Sequence, residues 1–237
     1  GSVLFGRAAH AWCLFRKSDF SIIISGTADV FGDYKDTNSL RPESFGCIAA
    51  LSLIHLVSSS IEIEHANITY YVDNDTTVKN SERTFLHDVA SVYENDIDTT
   101  IEINRIIRKS KINMNVKHVK GHQDSKKKND KLTPLEEINV LMDEMAGDHV
   151  RNMISRDRDT STPLFIPSQQ IGIAIDNIPI VANLDDKLRG SYYNKDIIRH
   201  YQNTIGLDKS VFHNVNWEGI KLATRKNEQR NQMLKCL

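Results

Sequence analysis

The alternation of apolar and polar residues predicts two strands near the start of the chain. Two apolar runs, Ala8–Phe15 and Phe20–Ser25, flank a polar segment at residues 16–19, which is the pattern of a β-hairpin. Residues 26–40 are rich in turn-forming types and predict a loop. A helix is expected from about Pro42 to Val57, because proline suits a first turn and the residues that follow are apolar over most of the surface. We expect this helix to be largely buried.

The middle of the chain alternates between strand and helix patterns. The β-branched and aromatic run Ile68–Val72 predicts a strand, and residues 76–94 and Ile97–Lys109 have helical periodicity. Lys111–Val119 alternates like a strand with one buried face. Thr133-Pro-Leu-Glu136 is a capping-box sequence, so a further helix is expected to start there. This order of elements predicts an α/β fold with a mixed β-sheet flanked by helices.

Composition becomes loop-like near residue 160 and indicates a boundary. We expect an α/β domain over residues 1–158 and a small α+β extension over residues 159–237. The extension is expected to hold a hairpin over Ile171–Val181, a helix over Leu184–Thr204 and a second helix starting at Asn216.

The overall composition is 40% hydrophobic and 26% charged, which excludes collagen-like, low-complexity and disulfide-scaffold classes. Cys13, Cys47 and Cys236 include no close pair. This favours a reducing intracellular compartment, the nucleus or the cytoplasm, and argues against zinc bound by clustered thiolates. No apolar run approaches the roughly 20 residues of a membrane span, so we expect no membrane partner.

The net charge of −1 conceals one strongly basic segment. Residues 105–131 contain ten Lys or Arg against Asp124 and Asp130, a net charge of +8. A solvated helix face followed by a charged loop would also give this pattern. Because the segment includes His122, we favour contacts with the phosphates of a nucleic-acid duplex, recognised by its backbone shape and 2′-hydroxyls. The lysines expected to bind it are Lys120, Lys126, Lys127 and Lys128.

Four candidate chemical residues stand at predicted element ends or in a helix. Glu43 opens a helix, Asp73 closes a strand, His122 follows another strand, and Asp143 lies in the helix after it. Each has an ordinary structural explanation by itself, such as a partner for the helix dipole or a turn residue. Together, the three carboxylates would bind Mg²⁺ or Mn²⁺ if the fold brought them to one sheet edge. Two such ions about 4 Å apart act on phosphodiesters.

Four motifs resemble those of ribonuclease H domains and occur in that family's order. Residues 42–51 (PESFGCIAAL) resemble the R-x-E-L-x-x-x-x-x-A-L helix, and Tyr71-Val-Asp73-Asn resembles the x-D-S/N strand end. Val119-Lys-Gly-His122 resembles the V-K-G-H loop, and residues 139–146 (NVLMDEMA) resemble N-x-x-x-D-x-x-A. The likeness spans about Gly1 to Arg156 and is greatest to the ribonuclease H region of retroelement reverse transcriptases.

This resemblance implies a ribonuclease H-like fold and two-metal hydrolysis of the RNA strand of an RNA/DNA hybrid, with Mg²⁺ as the metal and Mn²⁺ as a substitute. It implies that Glu43, Asp73 and Asp143 bind the two ions. It also implies that His122 assists proton transfer or product release. A polymerase domain upstream in the parent protein is the expected covalent partner.

The resemblance implies two further contacts with the nucleic acid, and the chain departs from the family's pattern in one respect. Asn139 would face the same groove one helical turn before the metal-binding carboxylate, and Asn74 would contact the nucleic acid. The family's first metal ligand is the Asp of an Asp-Gly-Ser signature, which would stand just before Gly1 with most of the central strand. Asp29 and Asp33, in the predicted loop before Glu43, are poor substitutes by position. We therefore expect impaired catalysis if the native chain starts at Gly1.

Other functions remain open at this point. A domain of the same fold could bind nucleic acid or serve a structural role without catalysis, and a transposase or integrase would share the carboxylates but not the Lys-Gly-His loop. Zinc binding by His118 and His122 is disfavoured because no second ligand pair stands at finger spacing. A calcium loop at residues 73–75 fails because Val78 and Thr84 occupy the positions that need Gly and Glu.

Overall fold

The computed structural model describes residues 1–32, 38–63, 65–83, 94–125, 131–156, 173–175 and 177–205, together with residues 160 and 166. The chain divides into two compact units, Gly1–Asp185 and Asp186–Leu237. This division falls later than the boundary at residue 158 expected from composition, and that functional boundary stays a prediction.

The described residues form seven strands and five helices. The strands are β1 (Ser2–Leu4), β2 (Arg7–Phe15), β3 (Ile22–Val30), β4 (Asn67–Val72), β5 (Asn113–His118), β6 (Ala174–Ile175) and β7 (Ile178–Pro179). The helices are α1 (Leu40–Ser60), α2 (Asp75–Ser81), α3 (Ile97–Lys109), α4 (Pro134–Ser155) and α5 (Leu184–Ile205). The predicted α/β class is confirmed.

The first sheet is antiparallel, with the strand order β1-β2-β3. It contains the predicted hairpin, in which Trp12 lies opposite Gly26. Because β3 continues to Val30, the prediction of a loop is wrong for residues 26–30. Gly26 fits within the strand because it leaves room for the indole of Trp12, which would lie 2.9 Å from a Cβ atom at that position.

The second sheet is the parallel pair β4 and β5, with Tyr70 opposite Val116 and Val72 opposite His118. In the described residues, the antiparallel β1–β3 sheet and the parallel β4–β5 pair are therefore separate sheets, and the prediction of one mixed sheet is wrong. Sheets join only where strand edges come within hydrogen-bonding distance, and local periodicity does not encode which edges meet.

The main hydrophobic core lies between α1, α3 and the β4–β5 pair. Its buried members are Cys47, Leu51, Val72, Ile103, Ile106, Ile112, Met114 and Val116. The expectation that α1 is largely buried is wrong at its C-terminal end, where Leu56 and Val57 are 63% and 48% exposed. An apolar helix surface is buried only where another element packs against it.

Helix α1 also meets, by length and composition alone, the criterion for a membrane span, although no apolar run of that length was expected. Buried core helices of globular proteins meet the same criterion, and α1 packs against β2 and α3.

The predicted capping box starts α4. The side chain of Thr133 accepts a hydrogen bond from the amide of Glu136 at 3.4 Å, and the Glu136 carboxylate accepts one from the amide of Thr133 at 2.8 Å. Val150 and Met153 of α4 are buried in a cluster with Ala9 of β2. The helix is thereby fixed on the β1–β3 sheet.

A polar bridge also joins α4 to β3. The ring of His149 lies 2.9 Å from the hydroxyl of Thr27 and 2.7 Å from the carboxylate of Asp29. Asp29 is 6% exposed and is committed to this contact. It therefore supports the packing of α4 and does not stand among the candidate metal ligands.

The segment after residue 160 agrees in part with its prediction. The expected hairpin is present in short form, with Ala174 opposite Pro179, and α5 starts at Leu184 as predicted. Helix α2 ends at Ser81, before the end predicted at residue 94, and residues 84–93 of that prediction lie outside the described residues. The helix predicted from Asn216 lies outside the described residues.

Candidate metal centre

The predicted chemical residues come together at one end of the β4–β5 pair. The amide of Val119 donates to the carbonyl of Val72 at 2.9 Å, so the pairing continues to the point where both strands end. Adjacent parallel strands deliver the residues that follow them to the same edge. The site residues are Glu43 from the first turn of α1, Asp73 after β4, His122 from the loop after β5 and Asp143 from α4.

Three of these side chains form a compact group. Asp73, His122 and Asp143 each place one ligand atom within 4.8 Å of the other two. His122 Nδ1 lies 4.0 Å from Asp143 Oδ2. Asn139 lies one turn before Asp143 and donates from Nδ2 to Asp73 Oδ2 at 3.5 Å, so it orients that carboxylate.

Glu43 adds a third carboxylate from the side of α1. It contacts the ammonium group of Gly1, which lies 3.7 Å from Asp143 Oδ1. Burial raises the pKa of Glu43, the ammonium opposes this, and Asp73 and Asp143 raise it further. Burial also raises the pKa of Asp143. The carboxylates therefore repel one another, and a cation among them would relieve that repulsion.

The donor set fits a hard divalent cation. Carboxylate oxygens are the ligands that Mg²⁺ and Mn²⁺ prefer, and the mutual repulsion of the carboxylates gives a cation something to neutralise. The Glu43 and Asp143 side chains are 14% and 25% exposed, whereas His122 is 78% exposed. The carboxylates thus form the floor of the site, and the imidazole lies on its solvent side.

Two residues of the loop after β5 shape the site but were not among the predicted site residues. A Cβ atom at Gly121 would lie 2.5 Å from Asp73 Oδ2, so only glycine allows this approach. Gln123 is 6% exposed and donates from Nε2 to the carbonyl of Gly121 at 2.8 Å. His122 between them has a φ of 52°, in the left-handed region. Gly121 and the buried side-chain amide of Gln123 therefore fix the backbone conformation that places His122 beside the carboxylates.

Gly121→Ala is expected to weaken Mn²⁺ binding by about 10- to 100-fold, because the methyl group must displace Asp73 or the loop. Isothermal titration with Mn²⁺ measures the effect. Gly147→Ala in α4 is the matched control, since a Cβ atom there meets its nearest neighbour, an Arg151 nitrogen, at 3.4 Å. The control should bind Mn²⁺ like the parent chain, and equal affinities for all three proteins would contradict the role of Gly121.

The predicted nucleic-acid contacts have different surroundings. Lys120 is exposed beside the site. The side-chain oxygen of Asn74 accepts from the amides of Thr76 and Thr77 at 2.9 and 3.2 Å, so it caps α2. Because the side-chain oxygen of Asn74 is used in capping α2, its side-chain Nδ2 is the group that would contact a nucleic acid. Lys126, Lys127 and Lys128 lie outside the described residues.

The histidine pair weighed for zinc does not share one site. His118 Nε2 lies 3.6 Å from Asp75 Oδ1, near the start of α2, whereas His122 lies with Asp73 and Asp143. Within the described ranges, the Asp73, His122 and Asp143 group is the one set of three or more metal-ligating side chains.

A cleft of about 600 Å³, including its open mouth, extends from the carboxylates between β2 and β4. Its walls include Ala11–Cys13 of β2 and residues 69–72 of β4, and α4 contributes Ile138 and Met142. Gly1, Glu43 and Asp143 lie at its end. The site therefore opens into a cleft between the β1–β3 sheet and the β4–β5 pair.

Comparison of the chain with protein-family models, with curated proteins and with solved structures gave no match.

Proposed function

We propose that this chain is a ribonuclease H-like domain of a retroelement reverse transcriptase. In this proposal it hydrolyses the RNA strand of RNA/DNA hybrids inside the cell, in the nucleus or the cytoplasm, beside a covalently linked polymerase domain. The observation that carries the proposal is the convergence of Asp73, His122 and Asp143 within 4.8 Å. These residues are far apart in sequence and belong to motifs that resemble the family's motifs in their order.

The roles of the residues follow from their positions. Asp73 and Asp143, with Glu43, would hold two Mg²⁺ ions, which stabilise the attacking and leaving oxygens of a phosphodiester. Asn139 fixes the direction of the Asp73 carboxylate through its hydrogen bond. His122 is exposed and close to Asp143, so its ring nitrogens can pass a proton between the site and solvent.

The surface beside the site is suited to a polyanion. Lys117 and Lys120 are exposed, and Lys117 lies opposite Tyr71 in the β4–β5 register. Such side chains bind phosphates without reading base sequence, as a hybrid nuclease requires.

The decisive experiment compares Mg²⁺-dependent cleavage of a labelled RNA/DNA hybrid, the matching duplex DNA and single-stranded RNA. Cleavage of the hybrid's RNA strand is expected, and Asp73→Asn should reduce it by about 10²-fold or more, because the substitution removes a metal-binding charge. Cleavage of duplex DNA in preference to the hybrid would support a transposase or integrase instead. Hybrid cleavage that is unchanged in Asp73→Asn would contradict the proposal.

A further inference from the structure

A buried ion cluster joins the start of α1 to the start of α3. Arg41 Nη1 donates to Asp96 Oδ1 at 2.8 Å and to Asp98 Oδ1 at 3.1 Å, and Nη2 donates to Asp98 Oδ2 at 3.0 Å. The three side chains are at most 2% exposed. The guanidinium also lies over the ring of Phe45, 5.1 Å from its centroid. This is an extensively paired arginine, held from several directions.

The partners of Arg41 are themselves fixed. Asp96 is the residue before α3 and has a φ of 55°, and its amide donates to the carbonyl of Val181 at 2.7 Å. Asp98 lies in the first turn of α3, where a helix N-terminus favours a carboxylate. Burial would lower the pKa of Arg41, but the two carboxylates raise it, so the arginine stays charged.

Stability alone is a weak reason for this arrangement. Replacing a buried ion cluster by apolar side chains of similar size is often neutral or stabilising, because desolvation of the charges offsets their attraction. The planar guanidinium has hydrogen-bond donors in fixed directions, so it holds both carboxylates in one geometry. An apolar side chain of similar size would not impose that geometry.

The first turn of α1 has a particular need for such a constraint. Ser39, at the N-cap position, makes no side-chain capping hydrogen bond, and Asn38 accepts from the amides of Leu40 and Arg41 instead. Glu43 stands in this turn, two residues after Arg41. Its carboxylate must reach Asp73 and Asp143, which other elements hold in place.

We propose that Arg41 is a positioning residue for Glu43: the Arg41–Asp96–Asp98 cluster fixes the first turn of α1 on α3 so that the Glu43 carboxylate reaches the metal centre. This inference rests on the proposed function, because it takes Glu43 to be a metal ligand. It adds to that function a residue that touches neither metal nor substrate.

The test is a thermodynamic cycle on Mn²⁺ affinity in the full chain. One arm replaces the cluster by Arg41→Met, Asp96→Asn and Asp98→Leu together, and the other arm is Glu43→Gln. Each arm is expected to weaken Mn²⁺ binding by about 10- to 100-fold. Combining them should weaken it no further than either alone, because the cluster acts through Glu43. Arg41→Lys, which keeps the charge and loses the fork, should give an intermediate affinity.

Thermal unfolding of each variant separates positioning from loss of stability. Met153→Ala is the matched control, because Met153 is 3% exposed and its truncation destabilises a core away from α1. It should leave Mn²⁺ affinity unchanged despite a lower melting temperature. If the triple variant does not fold, Arg41→Lys takes its place in the cycle.

The outcomes distinguish the two proposals. Mn²⁺ affinity that stays at the parent value when the cluster is replaced, or losses that add in the combined variant, would overturn the role of Arg41 and leave the metal centre intact. If Glu43→Gln binds Mn²⁺ like the parent chain, Glu43 is not a ligand, and both the metal assignment and the positioning role are wrong.

Discussion

A chain extended before Gly1 by a short apolar segment ending in Asp is expected to cleave the RNA strand of a hybrid faster than the chain that starts at Gly1, by a factor on the order of 10² to 10³. The factor corresponds to several kcal/mol of charge stabilisation by a fully held metal ion. The extension removes the ammonium that contacts Glu43 and lies near Asp143, and it adds a carboxylate beside it. Single-turnover cleavage in Mg²⁺ measures the effect.

The structure has a path for the added residues. Ser2 lies opposite Ala9 in the antiparallel register, so residues before Gly1 would run beside β2 from Ala11 towards Phe15. The cleft between β2 and β4 follows this path. Among the described strands, β4 pairs with β5 alone, so its second edge is open to an added strand.

The control is the same extension ending in Asn. Both extensions should protect amides of β4 from hydrogen exchange, because both supply a strand, but the Asn form should cleave no faster than the unextended chain. Equal cleavage by the Asp and Asn forms would show that the gain comes from pairing of the sheets and not from a metal ligand.

Elements with strong local patterns could be predicted from the sequence. The isoleucine spacing of α3 gave its bounds, Ile97 and Lys109, and the capping box of Thr133 and Glu136 placed the start of α4. These features depend on contacts within a few residues, which a single sequence displays directly.

Features set by distant contacts could not be predicted. Glycine at position 26 predicts a turn from sequence alone. In the structure Gly26 lies inside β3, where its lack of a side chain leaves room for the indole of Trp12 on the paired strand. The separation of the β1–β3 sheet from the β4–β5 pair depends on which strand edges meet, and periodicity is the same whether or not they join.

The candidate site shows the same limit. Asp73 and His122 could be placed together because residues that follow adjacent parallel strands share one edge. Gly121 and Arg41 could not be selected, since their importance depends on Asp73 and on α3, which approach them only in the folded chain.

Asp143→Asn is expected to abolish most of the hydrolysis and, without metal, to stabilise the fold by roughly 0.5–2 kcal/mol. Burial raises the pKa of Asp143, so its charge is less favourable in the folded than in the unfolded chain. As the pH falls from the folded-state pKa of Asp143 towards its lower unfolded-state pKa, the folded parent chain binds a proton that the unfolded chain does not yet bind. Protonation removes the unfavourable buried charge, so the free energy of unfolding of the parent chain rises. The gain shown by the variant should therefore be largest near neutral pH and shrink in acid.

Adding Mg²⁺ is expected to reverse the order of stability. A cation that binds only the folded parent stabilises it by about 2.7 kcal/mol at 100 times its dissociation constant, whereas Asp143→Asn loses most of this response. Melting temperatures with and without Mg²⁺ give the comparison. Asp148→Asn is the matched control, because Asp148 lies on the same helix, is 69% exposed and pairs with Arg151 at the surface. It should respond to Mg²⁺ like the parent, and the same response in Asp143→Asn would mean that Asp143 holds no metal ion, since a ligand cannot be removed without weakening the stabilisation that its cation provides.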